Sequence, residues 1–135
     1  MSNSLPKTVL IVEEEDNLRV LVRDILAKQG YRMFEAADAK QALQLCVDNP
    51  KSIHLMVTDL VLREASGVVL AKQARTWQPG MKTLFLEDHS ESTMISLGIP
   101  LSDLQYLKKP VKLKELVAKV EEMLGDTPAS GPPKP

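Results

Sequence analysis

A short apolar run that ends in a carboxylate constrains this chain more than any other feature. The run Leu55–Asp59 (LMVTD) is too short for a typical helix and is flanked by polar residues. Such a run predicts a strand that is buried on both faces of a parallel sheet. Asp59 would then lie at the carboxyl end of the strand, at the edge where open α/β sheets bind ligands. The competing interpretation is that Asp59 is only a helix cap or turn residue.

The composition favours one domain without an extended charged surface. A length of 135 residues, 44% hydrophobic and 4% aromatic, predicts a single aliphatic core. A formal net charge of -1, from 17 basic and 18 acidic residues, predicts neither a nucleic-acid surface nor a polybasic membrane patch. The only cysteine, Cys46, falls on the apolar face of a predicted helix and is interpreted as a core residue in a reducing setting. No run approaches the ~18 to 20 apolar residues of a membrane span, and the start lacks a secretory core, so a cytoplasmic location is expected.

The rest of the chain alternates short apolar runs with helical patterns. Strands are predicted at residues 8–12, 31–36, 55–59, 83–86 and 104–107, and helices at residues 18–28, 39–48, 67–77, 92–97 and 113–124. The alternation predicts right-handed crossovers and a sheet covered on both faces. We expect an N-terminal extension at 1–7, one domain at 8–124 and a disordered tail at 125–135.

Helix ends and buried faces can be predicted in more detail. Asp38 with Gln41 forms a capping box for the second helix, and Ser66 can cap the third. Helical spacing places Val47 of the second helix and Val69 of the third helix on buried faces, and Trp77 is also expected to point inward.

Charged residues follow four of the predicted strands. Since parallel strands end at the same edge, Glu13 and Glu14, Asp59, Glu87 and Lys109 should meet there. Carboxylates are hard oxygen ligands for Mg²⁺, and a lysine can neutralise phosphoryl oxygens while an aspartate attacks phosphorus. This set of residues suits phosphoryl transfer to Asp59.

The same residues resemble those of a known family. The segment Val12 to Asn17 (VEEEDN), the pair Thr58-Asp59 and the pair Lys109-Pro110 resemble the receiver (CheY-like) domain of two-component response regulators. The resemblance extends over about residues 8–124 and rests on agreement of spacing and strand placement throughout.

The resemblance implies a fold and a role in phosphorelay signal transduction. The implied fold is a flavodoxin-like, doubly wound (βα)5 sheet of strand order 2-1-3-4-5. The implied partners are a sensor histidine kinase and a downstream protein target, without nucleic acid or membrane, and a weak homodimer is left open. The chain would be a signalling module rather than an enzyme. The implied roles are Asp59 as phosphoacceptor, Glu14 as Mg²⁺ ligand with Glu13 in support, Lys109 on the phosphoryl group, Tyr106 as aromatic switch and Pro110 after a cis bond.

Three positions depart from the family pattern. Glu13-Glu14 replaces an aspartate pair, Glu87 replaces a serine or threonine, and Arg63-Glu64 stands where many members have Pro-Gly. We therefore expect weak Mg²⁺ binding, slow phosphorylation of Asp59, and a Glu87–Lys109 ion pair that acts as a built-in anion. The alternative function is a pseudo-receiver, an interaction module that no longer cycles through phosphorylation.

Other classes fit less well. A haloacid-dehalogenase-like phosphatase needs a second aspartate two residues after the first, where this chain has Val61. A nucleotide-binding domain needs a glycine-rich loop after the first strand, and this chain has three glutamates there.

Partner contacts are expected around Met94, Tyr106 and Lys114, on the fourth helix, fifth strand and fifth helix.

Overall fold

The computed structural model describes residues 5–96, 98 and 104–126, and contains one five-stranded parallel sheet of order β2-β1-β3-β4-β5. This is the predicted fold. The strands are β1 (Thr8–Val12), β2 (Arg32–Ala36), β3 (Leu55–Asp59), β4 (Lys82–Glu87) and β5 (Tyr106–Lys108). The helices are α1 (Asp16–Lys28), α2 (Ala39–Asp48), α3 (Gly67–Ala74), α4 (Glu91–Ser96) and α5 (Leu113–Leu124).

The sheet divides the hydrophobic core into two layers. Buried residues of α2, α3 and α4 pack against one face, which includes Leu10, Met56 and Phe85. Buried residues of α1 and α5 pack against the other face, which includes Ile11 and Val57. All five residues of β1 and of β3 are buried, as expected for central strands of a sheet covered on both faces.

The predicted helix caps are present. The Asp38 side chain accepts a hydrogen bond from the Gln41 backbone N–H at 2.8 Å, and Gln41 Oε1 accepts from the backbone N–H of Ala37 at 2.8 Å. Ser66 Oγ accepts from the backbone N–H groups of Val68 and Val69. These side chains satisfy donors that a helix leaves unpaired in its first turn.

Three predicted side-chain environments are wrong. Val47 and Val69 are exposed, because the buried residues of their helices are Ala42 and Cys46 in α2, and Leu70, Ala71 and Ala74 in α3. Val47 follows Cys46 and Val69 precedes Leu70, so each points about 100° away from a buried neighbour. Met94, predicted at a partner surface, is fully buried, while Trp77 is half-buried.

A buried polar residue was missed by the sequence prediction. Gln78 is 1% exposed, and its amide oxygen accepts from the backbone N–H groups of Ser52 and Ile53 at 3.1 and 3.0 Å. Its amide nitrogen donates to the carbonyl oxygens of Cys46 and Asn49. Gln78 thus joins the end of α2 to the start of β3. The predictions for residues 1–4, Leu97, Pro100 and 127–135 lie outside the described residues.

Candidate functional site

The carboxyl ends of the central strands form one acidic pocket. Its lining includes Glu13 and Glu14 after β1, Asp59 at the end of β3, Glu87 at the end of β4 and Lys109 after β5. The predicted meeting of these residues is therefore confirmed. Further lining residues are Glu15, Val61, Arg63, Leu86, Asp88 and His89.

Asp59 is buried and lies beside the Lys109 ammonium. The residue is 6% exposed, and Lys109 Nζ lies 2.7 Å from Asp59 Oδ1. The same ammonium donates a hydrogen bond to Glu13 Oε1 at 3.0 Å. Glu13 is also buried, at 2% exposure, so one lysine balances two buried carboxyl groups. A single positive charge does not fully compensate two buried anions, which favours retention of a proton.

The titration of Asp59 reflects this crowding. Burial raises the pKa of Asp59 to about 7, the neighbouring Glu13 carboxyl contributes in the same direction, and Lys109 opposes both. Burial alone would lower the pKa of Lys109, but its contacts with Asp59 and Glu13 raise it above the ordinary value. At neutral pH the lysine is therefore charged, whereas Asp59 is divided between its acid and carboxylate forms.

The loop after Asp59 packs closely on the strand end. The backbone N–H of Gly67 donates to the carbonyl oxygen of Leu60 at 2.8 Å. A methyl group at Gly67 would overlap the carbonyl oxygen of Asp59, so only glycine fits at the start of α3. This close contact holds the start of α3 against the end of β3, beside Asp59.

The two glutamates after β1 make different contacts. Besides its contact with Lys109, Glu13 accepts a hydrogen bond from the backbone N–H of Glu15 at 2.9 Å through Oε2. Glu14 reaches across the pocket, where its Oε2 accepts from the backbone N–H of Arg63 at 2.8 Å. Glu14 and Asp59 are oxygen donors of the type that Mg²⁺ prefers, whereas both oxygens of Glu13 already have protein partners.

The predicted ion pair between Glu87 and Lys109 is wrong. Glu87 is buried, and its Oε2 accepts from the backbone N–H of His89 and lies 2.8 Å from His89 Nδ1. Lys109 contacts Glu87 only through the backbone, where its N–H donates to the Glu87 carbonyl oxygen at 2.7 Å. The Lys109 side chain pairs with Glu13 and Asp59 instead. The donors of the loop just after Glu87 are nearer in sequence than the lysine, and they satisfy the buried carboxylate.

His89 is a pocket residue that the sequence prediction did not assign. Its Nδ1 lies 3.1 Å from Asp88 Oδ1, and one ligand atom from each of Glu87, Asp88 and His89 lies within 4.8 Å of the others. The carbonyl oxygen of His89 accepts from Lys108 Nζ at 2.9 Å. The spacing of two residues between Glu87 and His89 was the available signal, since it brings the His89 donors within reach of the Glu87 carboxylate.

The two remaining predicted site residues, Tyr106 and Pro110, do not line the pocket. The bond between Lys109 and Pro110 is cis, as the resemblance implied. Tyr106 is half-buried on β5, packs against the core layer formed with α2, α3 and α4, and does not line the pocket. Arg63, which lines the pocket, was noted in the sequence only as a departure from the family.

Comparison with known proteins identifies relatives that match most of this chain. The chain is 32% identical over 118 residues to the sensor kinase CckA of Brucella abortus (strain 2308), covering 87% of this chain but 12% of that protein. It is 26% identical over 126 residues to the transcriptional regulatory protein CssR of Bacillus subtilis (strain 168), spanning 55% of that protein. The response regulator receiver protein CpdR of Brucella abortus is 28% identical over 118 residues, and this chain covers 97% of it. The matched region is thus a small part of CckA, about half of CssR and nearly all of CpdR.

Solved structures that are similar to this chain include receiver domains. The receiver domain of the hybrid histidine kinase CckA has a TM-score of 0.72 at 28% identity, covering 87% of this chain and 98% of that domain. A CheY-like receiver domain protein from Methanospirillum hungatei JF-1 also has a TM-score of 0.72, at 25% identity, covering 89% of this chain and 94% of that one. Among the described residues, no helix is long and apolar enough to cross a membrane. The family model of the response regulator receiver domain matches residues 9–121, and the chain belongs to this family of two-component signalling modules.

Proposed function

We propose that this receiver domain accepts a phosphoryl group on Asp59 from a sensor histidine kinase and passes the signal to a downstream protein target. The observation that carries the proposal is the Lys109 ammonium, 2.7 Å from the buried Asp59 carboxyl group at the end of β3. A buried carboxylate with an adjacent cation can act as a nucleophile toward a phosphoryl group, whose charge the cation neutralises.

The transfer itself requires little protein chemistry beyond placement and charge. An Asp59 oxygen forms a bond to phosphorus as the bond from phosphorus to the kinase histidine nitrogen breaks, and the bonding electron pair goes to that nitrogen. Lys109 then faces the oxygens of the transferred group. Asp59 must be ionised to attack, so the proton favoured by burial and by Glu13 has to leave first.

The acidic pocket also supports weak Mg²⁺ binding. Glu14 and Asp59 would hold the ion, with Glu13 in support. A bound Mg²⁺ would supply positive charge for the phosphoryl oxygens. Glu13 is already bonded to Lys109 and to the Glu15 backbone, which supports low affinity. The double substitution Glu13→Asp/Glu14→Asp is expected to tighten Mg²⁺ in a calorimetric titration, and equal or weaker binding would contradict the explanation.

The switch residues are part of the same proposal. Glu87 would hold the β4–α4 loop through His89, and Tyr106 would respond from the neighbouring strand. We place this domain in the cytoplasm and regard it as a signalling module without catalytic turnover. It would act either as a stand-alone regulator, like CpdR in extent, or as one part of a longer protein, like the matched region of CckA.

A second candidate function is favoured by two contacts. Glu13 forms an ion pair with the Lys109 ammonium, and His89 forms a hydrogen bond with the Glu87 carboxylate, both without any phosphoryl group. Both contacts suit a pseudo-receiver that signals by docking alone. In that case Asp59 would be a buried structural residue rather than a phosphoacceptor.

The mass of the intact protein after incubation with acetyl phosphate and Mg²⁺ separates the two functions. We expect slow addition of one phosphoryl group to the wild-type protein and none to Asp59→Asn. The substitution Asp88→Asn is a matched control, because Asp88 is an exposed acid in the same pocket. If the wild-type protein gains no phosphoryl group at any donor concentration, the pseudo-receiver becomes the supported function.

A further inference from the structure

The cations around the acidic pocket differ in whether they are already paired. Arg19 donates to Asp16 at 2.6 Å and to the Glu13 carbonyl oxygen at 2.8 Å. Lys108 donates to the His89 carbonyl oxygen, and Lys109 pairs with Glu13 and Asp59. The guanidinium of Arg63 makes no hydrogen bond or ion pair with any residue in 5–96, 98 or 104–126. Arg63 is thus an unpaired cation in a pocket lined mainly by acids.

The backbone of Arg63 is nevertheless held in place. Its N–H donates to Glu14 Oε2 at 2.8 Å, which ties the loop after β3 to the loop after β1. Within the loop, the backbone N–H of Leu62 donates to the carbonyl oxygen of Ala65 at 2.8 Å. An isolated antiparallel bridge also joins Val61 to Ser66. The loop is an ordered turn that presents Arg63 four residues after Asp59.

Arg63 is exposed and lines the acidic pocket, yet none of the pocket acids bonds to its guanidinium in the part of the chain that the structure describes. The acids are engaged elsewhere: Glu13 with Lys109 and the Glu15 N–H, Glu14 with the Arg63 backbone, and Glu87 with His89. The guanidinium therefore remains available for an anion that enters from outside. A phosphoryl group brings more than one negative charge, and the planar guanidinium matches its oxygens with paired N–H donors.

We propose that Arg63 is a phosphate-binding residue of this pocket, whose guanidinium contacts the oxygens of the phosphoryl group being delivered to Asp59. This inference rests on the proposed function. It assigns the two cations different tasks. Lys109 stays with the buried carboxyl groups, whereas Arg63 meets the incoming group from the solvent side. It also gives a chemical role to a residue that departs from the Pro-Gly of many receiver domains.

The first test measures the rate of phosphorylation by acetyl phosphate at saturating Mg²⁺. Arg63→Gln should slow the reaction about tenfold, the size of one charge-assisted hydrogen bond. It should also raise the acetyl phosphate concentration that gives half the maximal rate. Arg63→Lys should recover part of the loss, since a point charge remains. Arg75→Gln is the matched control, because Arg75 is an exposed arginine at the end of α3 outside the pocket.

A second test does not need phosphoryl transfer. Inorganic phosphate is titrated into Asp59→Asn protein with Mg²⁺ present, and the backbone amide resonances of residues 60–65 report binding. Adding Arg63→Gln to this background should weaken phosphate binding several-fold, and adding Arg63→Lys should weaken it less. Asp59→Asn cannot accept a phosphoryl group, so the titration is independent of the proposed function.

The outcomes separate the two proposals. If the wild type is phosphorylated and Arg63→Gln reacts at the wild-type rate, the inference is overturned and the proposed function stands. If the wild type is never phosphorylated but phosphate binding depends on Arg63, the proposed function fails and the phosphate site stands. If no phosphate binds, or if binding is the same with Arg63→Gln, the phosphate site is rejected. Equal loss in Arg63→Gln and Arg63→Lys would indicate a structural role and also reject it.

Discussion

Two consecutive lysines at the end of β5 belong to two different networks on the same edge of the sheet. Lys109 is part-buried and contacts two buried carboxyl groups, at 3.0 Å from Glu13 and 2.7 Å from Asp59. Lys108 is exposed and donates to the carbonyl oxygen of His89, whose backbone N–H and ring bond to the buried Glu87. Each network thus contains one lysine and one buried glutamate.

The difference lies in what the glutamate bonds to. Glu13 shares its lysine with Asp59, and the Glu13 carboxyl group contributes to the raised pKa of Asp59. Glu87 bonds within its own loop, so it fixes the path of the backbone between β4 and α4. The first network influences the pKa of Asp59, whereas the second holds the adjacent loop through the bonds between Glu87 and His89. Substitutions should therefore separate chemistry from loop order.

The largest effect is expected from Lys109→Met. It leaves Glu13 and Asp59 buried without a cation, and removal of one partner from a buried ion pair costs about 3 kcal/mol or more. Urea unfolding at pH 7.5 should show a loss of this order, together with loss of phosphorylation by acetyl phosphate. A loss below about 0.5 kcal/mol, the usual size for a surface substitution, would show that the buried pair does not stabilise the fold.

The next effect is a dependence of stability on pH. Asp59 has a pKa of about 7 in the folded protein and an ordinary value of 3.8. Between these values the folded protein holds a proton that the unfolded chain has released, so the free energy of unfolding falls as pH rises from about 4 to 7. The slope contributed by this group is at most about 1.4 kcal/mol per pH unit. Asp59→Asn should remove this contribution in urea unfolding measured across that range.

Glu13→Gln tests the cause of that titration. Without the Glu13 charge, Asp59 is the only carboxylate paired with Lys109, so the pKa of Asp59 should fall. The rate of phosphorylation should then reach its maximum at lower pH. The initial rate with acetyl phosphate, followed from pH 5.5 to 8.5, measures the midpoint. Glu15→Gln is the control, since Glu15 contacts Glu13 through its backbone N–H. A midpoint that is the same in both variants would mean that Glu13 does not hold the proton on Asp59.

The sequence was sufficient to predict the sheet and the set of residues that meet at its edge. Five strands were predicted, and charged residues follow four of them. The carboxyl ends of parallel strands lie at one edge of the sheet, which places Asp59, Glu13 and Lys109 together. The caps at Asp38 and Ser66 were also readable, because they depend on neighbours within four residues. Both kinds of feature follow from periodicity or from local bonding.

Side-chain partners within the pocket were harder to predict. Glu87 and Lys109 leave neighbouring strands, yet Glu87 turns to His89 because a buried carboxylate takes the donors of its own loop first. Several acids at this edge could pair with Lys109, and residue spacing does not indicate which of them does. Gln78 was missed for a similar reason, since its buried amide bonds to backbone 25 to 32 residues away.

A smaller effect is expected from Glu87→Gln. The neutral amide weakens the bonds to His89, and the loss of one charge-assisted hydrogen bond should cost about 1.5 to 3 kcal/mol. Hydrogen exchange should become faster at the amides of residues 88–90, while the pH midpoint of phosphorylation stays near the wild-type value. A shift of that midpoint as large as the shift in Glu13→Gln would show that the two networks are not separate.

The smallest effect is expected from Lys108→Met, which changes the residue adjacent to Lys109. Lys108 is exposed, and its bond to the His89 carbonyl oxygen competes with water, so its loss should cost about 1 kcal/mol or less. The contrast with Lys109→Met isolates burial, because the two variants remove the same charge from adjacent residues. In Lys108→Met we expect normal phosphorylation and slightly faster exchange at residues 88–90. If Lys108→Met instead matched Lys109→Met in urea unfolding, the stability of this edge would depend on its net charge rather than on which lysine meets the buried carboxyl groups.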